Sequence, residues 1–147
     1  MIAIPAAFAA IQARAADRIT TLPLYWQDGE DRLPDVPTDF VFFELITEGS
    51  RVIEIGGGRG SNRHRHTGEL NAYVFAPRGK GLAHLLAIAE PVAAAFRGYR
   101  RDGISVVTAS VHPLGEGEGL TPPGLDSAAG NYGCAVVNMP LYFDQKA

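Results

Sequence analysis

Residues 56–66, "GGGRGSNRHRH", combine four glycines, three arginines and two histidines in eleven positions. Each residue type suggests a different chemistry. Glycines expose backbone amides that can surround a phosphate, paired histidines can bind a metal, and clustered arginines can bind nucleic acid. A fourth interpretation is a loop without chemistry, so the rest of the chain has to decide between them.

The glycine spacing does not fit a nucleotide site. A dinucleotide fingerprint needs glycine at its first, third and sixth positions, between a strand and a helix. Counted from Gly56 the sixth residue is Ser61, and a strand rather than a helix is predicted to follow. The Lys-Ser/Thr pair that ends a phosphate loop is also missing. The run "PRGKG" could hold an anion through Lys80 at a helix start, but it is more typical of ordinary helix initiation.

The histidines do not make a convincing metal site. His64 and His66 are two residues apart, so on a strand they share a face, but a zinc site needs at least a third ligand. His84, His112 and Cys134 are isolated from them in the sequence. Three neighbouring arginines would also repel a cation. We therefore expect no metal.

Covalent catalysis has equally little support. Cys134 lies in an apolar strand and is expected to be a small buried hydrophobe, because a reactive thiolate needs an electropositive, partly exposed setting. The serines have no nucleophile-elbow context, and no pair of carboxylates stands out at a plausible active site. The residues thus predict a protein that is not an enzyme and needs no cofactor.

Length and composition set the broad class. The chain has 147 residues, 46% hydrophobic and 20% charged, which is typical of one soluble globular domain covering residues 1–147. A net charge of −3 disfavours a dedicated nucleic-acid binder, and the single cysteine excludes an internal disulfide. No stretch approaches the roughly 20 apolar residues of a membrane span, so no membrane contact is expected.

Three regions are predicted along the chain. Phe8, Ile11 and Ala15 recur at helical spacing after Pro5, which predicts an N-terminal helix over about residues 5–19. An irregular acidic linker follows over about 20–39, in which Tyr25 and Trp26 are expected to anchor the linker to the core. The core itself is expected over about residues 40–144.

Within this core, five strands and one helix are predicted. The strands are expected at 40–47, 51–55, 68–76, 104–111 and 134–144, and the helix at 82–99. "EGS" at 48–50 is interpreted as a hairpin turn, and residues 56–66 as the tip of the next hairpin. Pro91 predicts a kink or restart in the helix, and Pro140 predicts that the last strand lies at an edge or has one side free there. The expected fold is α+β: a single mostly antiparallel five-stranded sheet with two helices packed on one face.

Several stretches, in order, give the chain a family resemblance. Trp26 precedes the strand "FVFFELI". The run "RHTGELNAYVFAPRGKGLAHLLAIAEPVAAAFRG" follows, with its landmarks at Arg65, Gly68, Pro77, Gly79, Gly81 and Phe96. The segment "NYGCAVVNMPLYFD" ends on Tyr142, Phe143 and Asp144. From about Pro23 to Asp144 the chain resembles phage tail terminator-like proteins, the tail-completion family that includes minor tail protein U of lambdoid phages.

The resemblance implies a structural role rather than catalysis. Such proteins form a ring, hexameric in well-known members, that caps the tail tube, stops its polymerisation and offers a surface to the head side. It implies three protein partners: further copies of the chain, the tail tube protein and the head–tail connector protein. Transient contact with DNA passing through the lumen would be compatible with this role. The implied location is the virion tail, assembled in the cytoplasm of the bacterial host.

Charge along the sequence is compatible with assembly. We expect a docking or lumen-lining loop at Arg59, Arg63, His64, Arg65 and His66, and a complementary acidic surface at Asp28, Glu30, Asp31, Glu116 and Glu118. Opposite patches on one subunit can meet across neighbours and set their register. The alternative is a small nucleic-acid-binding domain that uses the arginines of 56–66 on phosphates. An enzyme of unknown type is the third alternative, which a metal on the two histidines would favour.

Overall fold

A computed structural model describes residues 2–29, 37–54, 57–114 and 132–146. In this part of the chain, two helices and seven strands follow one another. They are α1 (Ile4–Arg18), β1 (Leu24–Trp26), β2 (Phe40–Glu54), β3 (Arg63–Pro77), α2 (Leu82–Phe96), β4 (Arg100–Arg101), β5 (Ile104–Val106), β6 (Ser110–Pro113) and β7 (Tyr132–Lys146). The class is α+β, as predicted.

The strands form one mostly antiparallel, curled sheet with the order β1-β2-β3-β7-β5-β4, and β6 also pairs with β7. The pairing of β1 with β2 is parallel, and all other pairings are antiparallel. The prediction of five strands was wrong. β1 and β4 are two or three residues long, too short to show a pattern, and the predicted linker over 20–39 therefore contains a strand. The predicted strand at 104–111 is divided into β5 and β6.

β2 is one continuous strand, so the predicted turn at "EGS" does not exist. The ladder with β3 continues through these residues, with irregularities between Thr47 and Gly49 and between Val52 and Glu54. A β-bulge accommodates the extra residue of β2, so the pairing with β3 continues on both sides of it and no chain reversal is needed. Glycine and polar residues suggested a chain reversal, but a bulge uses the same residue types.

The predicted loop over 56–66 is shorter than expected because β3 already begins at Arg63. Arg63, His64, Arg65 and His66 therefore lie within a strand that pairs with both β2 and β7. Of this segment, residues 57–62 form the described part of the connection, where the Ser61 amide donates to the Gly58 carbonyl and both Gly58 and Gly60 have positive φ. The sequence did not predict this first part of β3, because its side chains are polar and show no apolar alternation.

The second helix continues through Pro91 without the restart that the proline predicts, and it ends at Phe96 rather than at 99. The carbonyl that Pro91 leaves without an amide partner belongs to Ala87. Both residues are exposed, so water can satisfy that carbonyl. The proline is tolerated because it lies on the solvent side of the helix.

The last strand is in the middle of the sheet, not at an edge. β7 pairs with β3 over its whole length, and on its other side with β6 over Ala135–Asn138 and β5 over Leu141–Phe143. Pro140 lies in the gap between these two short strands, where its carbonyl accepts a bond from the Val107 amide. The missing proline N–H thus falls at the one point where the neighbouring strand is interrupted.

Both helices contribute to the main core. Ala7, Ile11 and Ala15 of α1 join Ala89, Val92 and Phe96 of α2 in one buried cluster with alternate residues of the long strands. The Arg14 side chain ties the helices together, donating to the Ala95 carbonyl at 2.8 Å. Trp26 stacks on Phe43 with ring centroids 4.4 Å apart, which anchors the linker to the core.

Candidate functional site

Residues 47–54 and 57–67 form the described part of the outer half of the β2–β3 hairpin, and we call them the hairpin arm. Its β2 side is exposed from Thr47 onward except at the half-buried Ile53, whereas its β3 side is half-buried over residues 63–67 because the end of β7 pairs with it. A bulge at the base leaves Glu48 outside the regular pairing. The arm therefore presents a three-stranded polar surface at one end of the sheet.

An ion-paired cluster holds the arm to β7. Arg65 and Asp144 are direct cross-strand partners, and the arginine binds the carboxylate twice, through Nε at 2.8 Å and Nη2 at 3.0 Å. Arg63 binds the same carboxylate from the next position on that face, through Nη2 at 2.5 Å and Nε at 3.2 Å. Two guanidinium groups thus share one acid, a geometry that fixes the strand register as well as neutralising charge.

Burial makes this cluster unusual for a strand end. Asp144 is only 3% exposed, and its backbone is also held, with its carbonyl accepting from the Ile2 amide and its amide donating to the Gly103 carbonyl. Hydrogen bonds from Arg65 and Arg63 lower the pKa of the Asp144 carboxyl despite its burial. The same contact with Asp144 raises the pKa of Arg65. Asp144 is therefore ionised at neutral pH.

Aromatic rings support both faces of this strand end. The Arg65 guanidinium lies over the Tyr142 ring, 4.1 Å from its centroid, which adds a cation–π contact to the ion pair. On the opposite face, His66 stacks on Phe143 with centroids 4.9 Å apart and hydrogen-bonds Gln145 at 3.0 Å. His66 thus belongs to a packed strand pair, and His64 also has an interaction partner.

The arm surface carries more positive than negative charge. Arg51 is the direct cross-strand partner of Arg65, and Lys146 that of Arg63, so like charges face each other twice. Glu54 approaches Arg63 at 3.8 Å but is largely exposed. A shallow open groove of about 420 Å³ lies beside Arg51 and Arg65, and we call it the arm groove; it is lined by Gly49, Ser50, Arg51, Arg65 and Thr67.

Further along the same face of the sheet the charge reverses. Glu44 accepts a bond from the Tyr73 hydroxyl at 3.3 Å, and Glu69 accepts one from the Asn138 amide at 3.3 Å. Asn138 also donates to Asn71 at 2.8 Å. Burial and then the charge of Glu44 raise the pKa of Tyr73. We call these five residues the acidic ladder, and neither carboxylate has an ion-pair partner among the described residues.

The structure separates the residues that the sequence grouped together. Arg63 and Arg65 are joined by Asp144, whereas Arg59 lies exposed at the arm tip. Asp28 is exposed in the turn after β1, with φ of 53°. The other predicted acidic residues, Glu30, Asp31, Glu116 and Glu118, lie outside the described residues.

Asp144 and Arg51 are the site residues that the charge pattern missed. Their role depends on strand register, which brings residue 144 opposite residue 65 and residue 51 opposite the same arginine. A sequence signal did exist for Asp144, since it ends the aromatic-aspartate segment of the family resemblance. Nothing comparable marked Arg51.

No other chemistry-bearing cluster stands out among residues 2–29, 37–54, 57–114 and 132–146. No group of three or more His, Cys, Asp or Glu side chains there is arranged to hold a metal ion. Cys134 is buried, which raises the pKa of its thiol to about 12. His84 bonds Asp39 at 2.9 Å and joins α2 to the start of β2. No helix in this part of the chain is long and apolar enough to span a membrane.

Comparison with known proteins gives the fold but no activity. No family model matches the chain, and no curated protein matches it. A solved structure of a protein whose name describes no function is similar over 100% of this chain and 99% of its own, with a TM-score of 0.60 and 17% identity. At that identity the likeness concerns the fold alone, which is thus not unique to this chain.

Proposed function

We propose that this protein is a structural assembly protein of the tail-terminator type. In this proposal it forms a homo-oligomeric ring that caps a phage tail tube, stops tube polymerisation and offers the joining surface for the head–tail connector. The resemblance implies a hexamer, located in the virion tail after assembly in the bacterial host cytoplasm. The chain itself acts as a building block, without catalysis or cofactor.

The main support for the proposal is a contact between two residues of the resemblance that are distant in the sequence, Arg65 and Asp144. The resemblance rests partly on an arginine before a glycine, Arg65 and Gly68, and partly on an aromatic-aspartate ending at Asp144. These segments are about 80 residues apart, and their charged members form a bidentate ion pair at 2.8 and 3.0 Å. Such a pair gives the two landmarks a common structural purpose, the fixing of the arm on β7.

The remaining landmarks are also at positions with structural demands. A Cβ on Gly68 would lie 2.2 Å from the Ile46 carbonyl oxygen, so only glycine fits there. Gly79 and Gly81 have φ of 100° and 89°, which favours glycine before α2. Phe96 is fully buried at the end of that helix. The residues that carry the resemblance are therefore residues that shape the fold. They support a relationship to the tail-terminator family more than they support any particular chemistry.

The nucleic-acid alternative has less support from the geometry. It requires Arg63 and Arg65 to be available for phosphates, but both are bound to the buried Asp144 carboxylate. Arg59 and Arg51 remain exposed, and two separate guanidinium groups are a small footprint for a protein of net charge −3. Assembly therefore remains our first proposal.

Purified protein and tail tube protein from the same particle provide the test. We expect light scattering to give a discrete oligomer whose population rises with protein concentration, and electron microscopy to show rings. Added to polymerising tube protein, the chain should shorten the tubes in proportion to the ratio of ring to tube ends. A protein that stays monomeric and leaves tube length unchanged would refute the proposal.

A DNA titration separates the two functional classes. A nucleic-acid-binding domain would lose affinity steeply as salt rises, because each phosphate contact releases a counterion. We expect only weak binding to duplex DNA at 50 mM salt for the tail protein. Tight, strongly salt-dependent binding without ring formation would instead favour the alternative.

A further inference from the structure

The arm groove and the acidic ladder carry opposite charges that are not fully neutralised by the described residues around them. The arm face carries Arg51, Arg63, Arg65 and Lys146 against the carboxylates of Asp144 and Glu54, a surplus of positive charge. The acidic ladder carries Glu44 and Glu69, with only neutral hydrogen-bond donors around them among the described residues. Both lie on the sheet face opposite the main core.

The two halves are too far apart to neutralise one another within one chain. Glu69 and Arg65 are four residues apart on β3, about 13 Å at the usual rise of a strand. Arg65 is moreover held by Asp144 and Tyr142, and it faces Arg51 directly across the ladder. Like charges opposite each other on a sheet are unfavourable, so a carboxylate from outside would relieve Arg51.

We propose that the hairpin arm of one copy of this chain lies on the acidic ladder of a second copy, with carboxylates of the neighbour entering the arm groove. The groove of about 420 Å³ is open, and Thr67, which lies on the same sheet face as Arg51 and Arg65, lines it together with them. Threonine hydroxyl and arginine guanidinium donors together suit a carboxylate. Charge complementarity identifies a second copy of this chain as the partner, because the acidic ladder on the same sheet face supplies the carboxylates that the arm groove lacks.

This contact would be one of the subunit interfaces of the assembly proposed above. It rests on the proposed function only for the idea that copies of the chain associate. Burying part of the sheet face would also cover Ile46, which is 38% exposed beside the acidic ladder. Mixed apolar and charged contact gives register and partner choice more than affinity, so the contact is expected to weaken as salt rises.

A charge-swap experiment tests the contact. Arg51→Glu places glutamate against the neighbour's Glu69, and Glu69→Arg places arginine against the neighbour's Arg51, so each variant alone should self-associate at least tenfold more weakly at 50 mM salt. A mixture of the two variants should recover association, because each arm then meets an opposite charge. The double variant Arg51→Glu/Glu69→Arg should recover in the same way. Sedimentation over a concentration series gives the association constants, and circular dichroism checks that each variant is folded.

Arg100→Glu is the matched control, since it makes the same charge change on an exposed residue of β4 at the far side of the sheet. It should leave association unchanged. If Glu69→Arg fails to fold, Glu69→Gln with Arg51→Glu replaces it, and each should still weaken association. Association that is unaffected by Arg51→Glu, or a folded mixture that does not recover, would overturn the inference. If rings persist in Arg51→Glu, the inferred contact is refuted but the proposed function is not. If the charge swap restores association but the protein has no effect on tail tubes, the contact is supported and the proposed function is refuted.

Discussion

Replacing Asp144 by asparagine tests whether the shared carboxylate holds the hairpin arm to the sheet. The substitution keeps size and shape but removes the negative charge that both Arg63 and Arg65 contact. Losing one partner of a buried ion pair costs about 3–5 kcal/mol. Here the two arginine side chains are 37% and 26% exposed, so water compensates part of that loss. We expect the free energy of unfolding to fall by roughly 2–3 kcal/mol at pH 7.

The dependence on pH gives the same prediction a second readout. The folded-state pKa of Asp144 lies below its ordinary value, so folding favours the ionised form. Its contribution is therefore complete above the unfolded pKa, about 4, and disappears as pH falls through the folded pKa. The stability difference between wild type and Asp144→Asn should be constant from pH 8 to about 5 and shrink below about 4.

Urea denaturation at 25 °C, repeated across this pH range, measures both effects. Glu90→Gln is the matched control, because Glu90 pairs with Arg97 at 2.9 Å but both side chains are more than half exposed. That variant should change the free energy of unfolding by less than about 0.5 kcal/mol. If Asp144→Asn costs no more than this control, or if its cost does not shrink in acid, the cluster does not hold the arm as described.

Two further predictions concern the sheet. Gly68→Ala forces a Cβ to within 2.2 Å of the Ile46 carbonyl oxygen and should destabilise by about 2 kcal/mol in urea denaturation, whereas Gly49→Ala, with nothing within 4 Å, should change stability by under about 0.5 kcal/mol; equal effects would contradict the described register. Cys134, with its thiol pKa raised to about 12 by burial, should not react with a thiol reagent at pH 8 until urea unfolds the protein, and fast labelling of the native state would show that it is accessible.

The elements with a clear apolar period could be predicted from the sequence, and those that depend on pairing could not. Both helices were predicted because their apolar residues recur at helical spacing, and they differ from the structure only at their ends. Each of the five predicted strands overlaps a strand of the structure: two lie in the single strand β2, and one is divided into β5 and β6. Residue 55, the last of the second predicted strand, lies outside the described residues. The two- and three-residue strands β4 and β1 are defined by hydrogen bonds to neighbours, which no local pattern contains.

The candidate site shows the same division. Arg63 and Arg65 were selected for their charge, but the sequence placed them in a loop that binds something outside the chain. Strand register instead brings Asp144 opposite Arg65 and satisfies both arginines internally. Register also leaves Arg51 opposite Arg65, without an ion-pair partner among the described residues. Composition alone could thus identify the charged segment but not which of its charges remain available.

The position of β7 has a consequence for how the chain folds. β7 follows all other strands in the sequence, yet it lies at the centre of the sheet between β3 and the short strands β5 and β6. Even the shortest β3–β7 separation, from Pro77 to Tyr132, is 55 residues. Contacts this distant slow folding, because loop closure precedes any gain from pairing.

During synthesis, β2 and β3 can pair as soon as they emerge, but β3 then has an unpaired inner edge until residue 146 leaves the ribosome. An unpaired apolar strand edge is a template for pairing with other chains. The interval before β7 inserts is therefore the period in which this protein is most prone to aggregate, and substitutions that slow the insertion should lower its soluble yield before they lower its final stability.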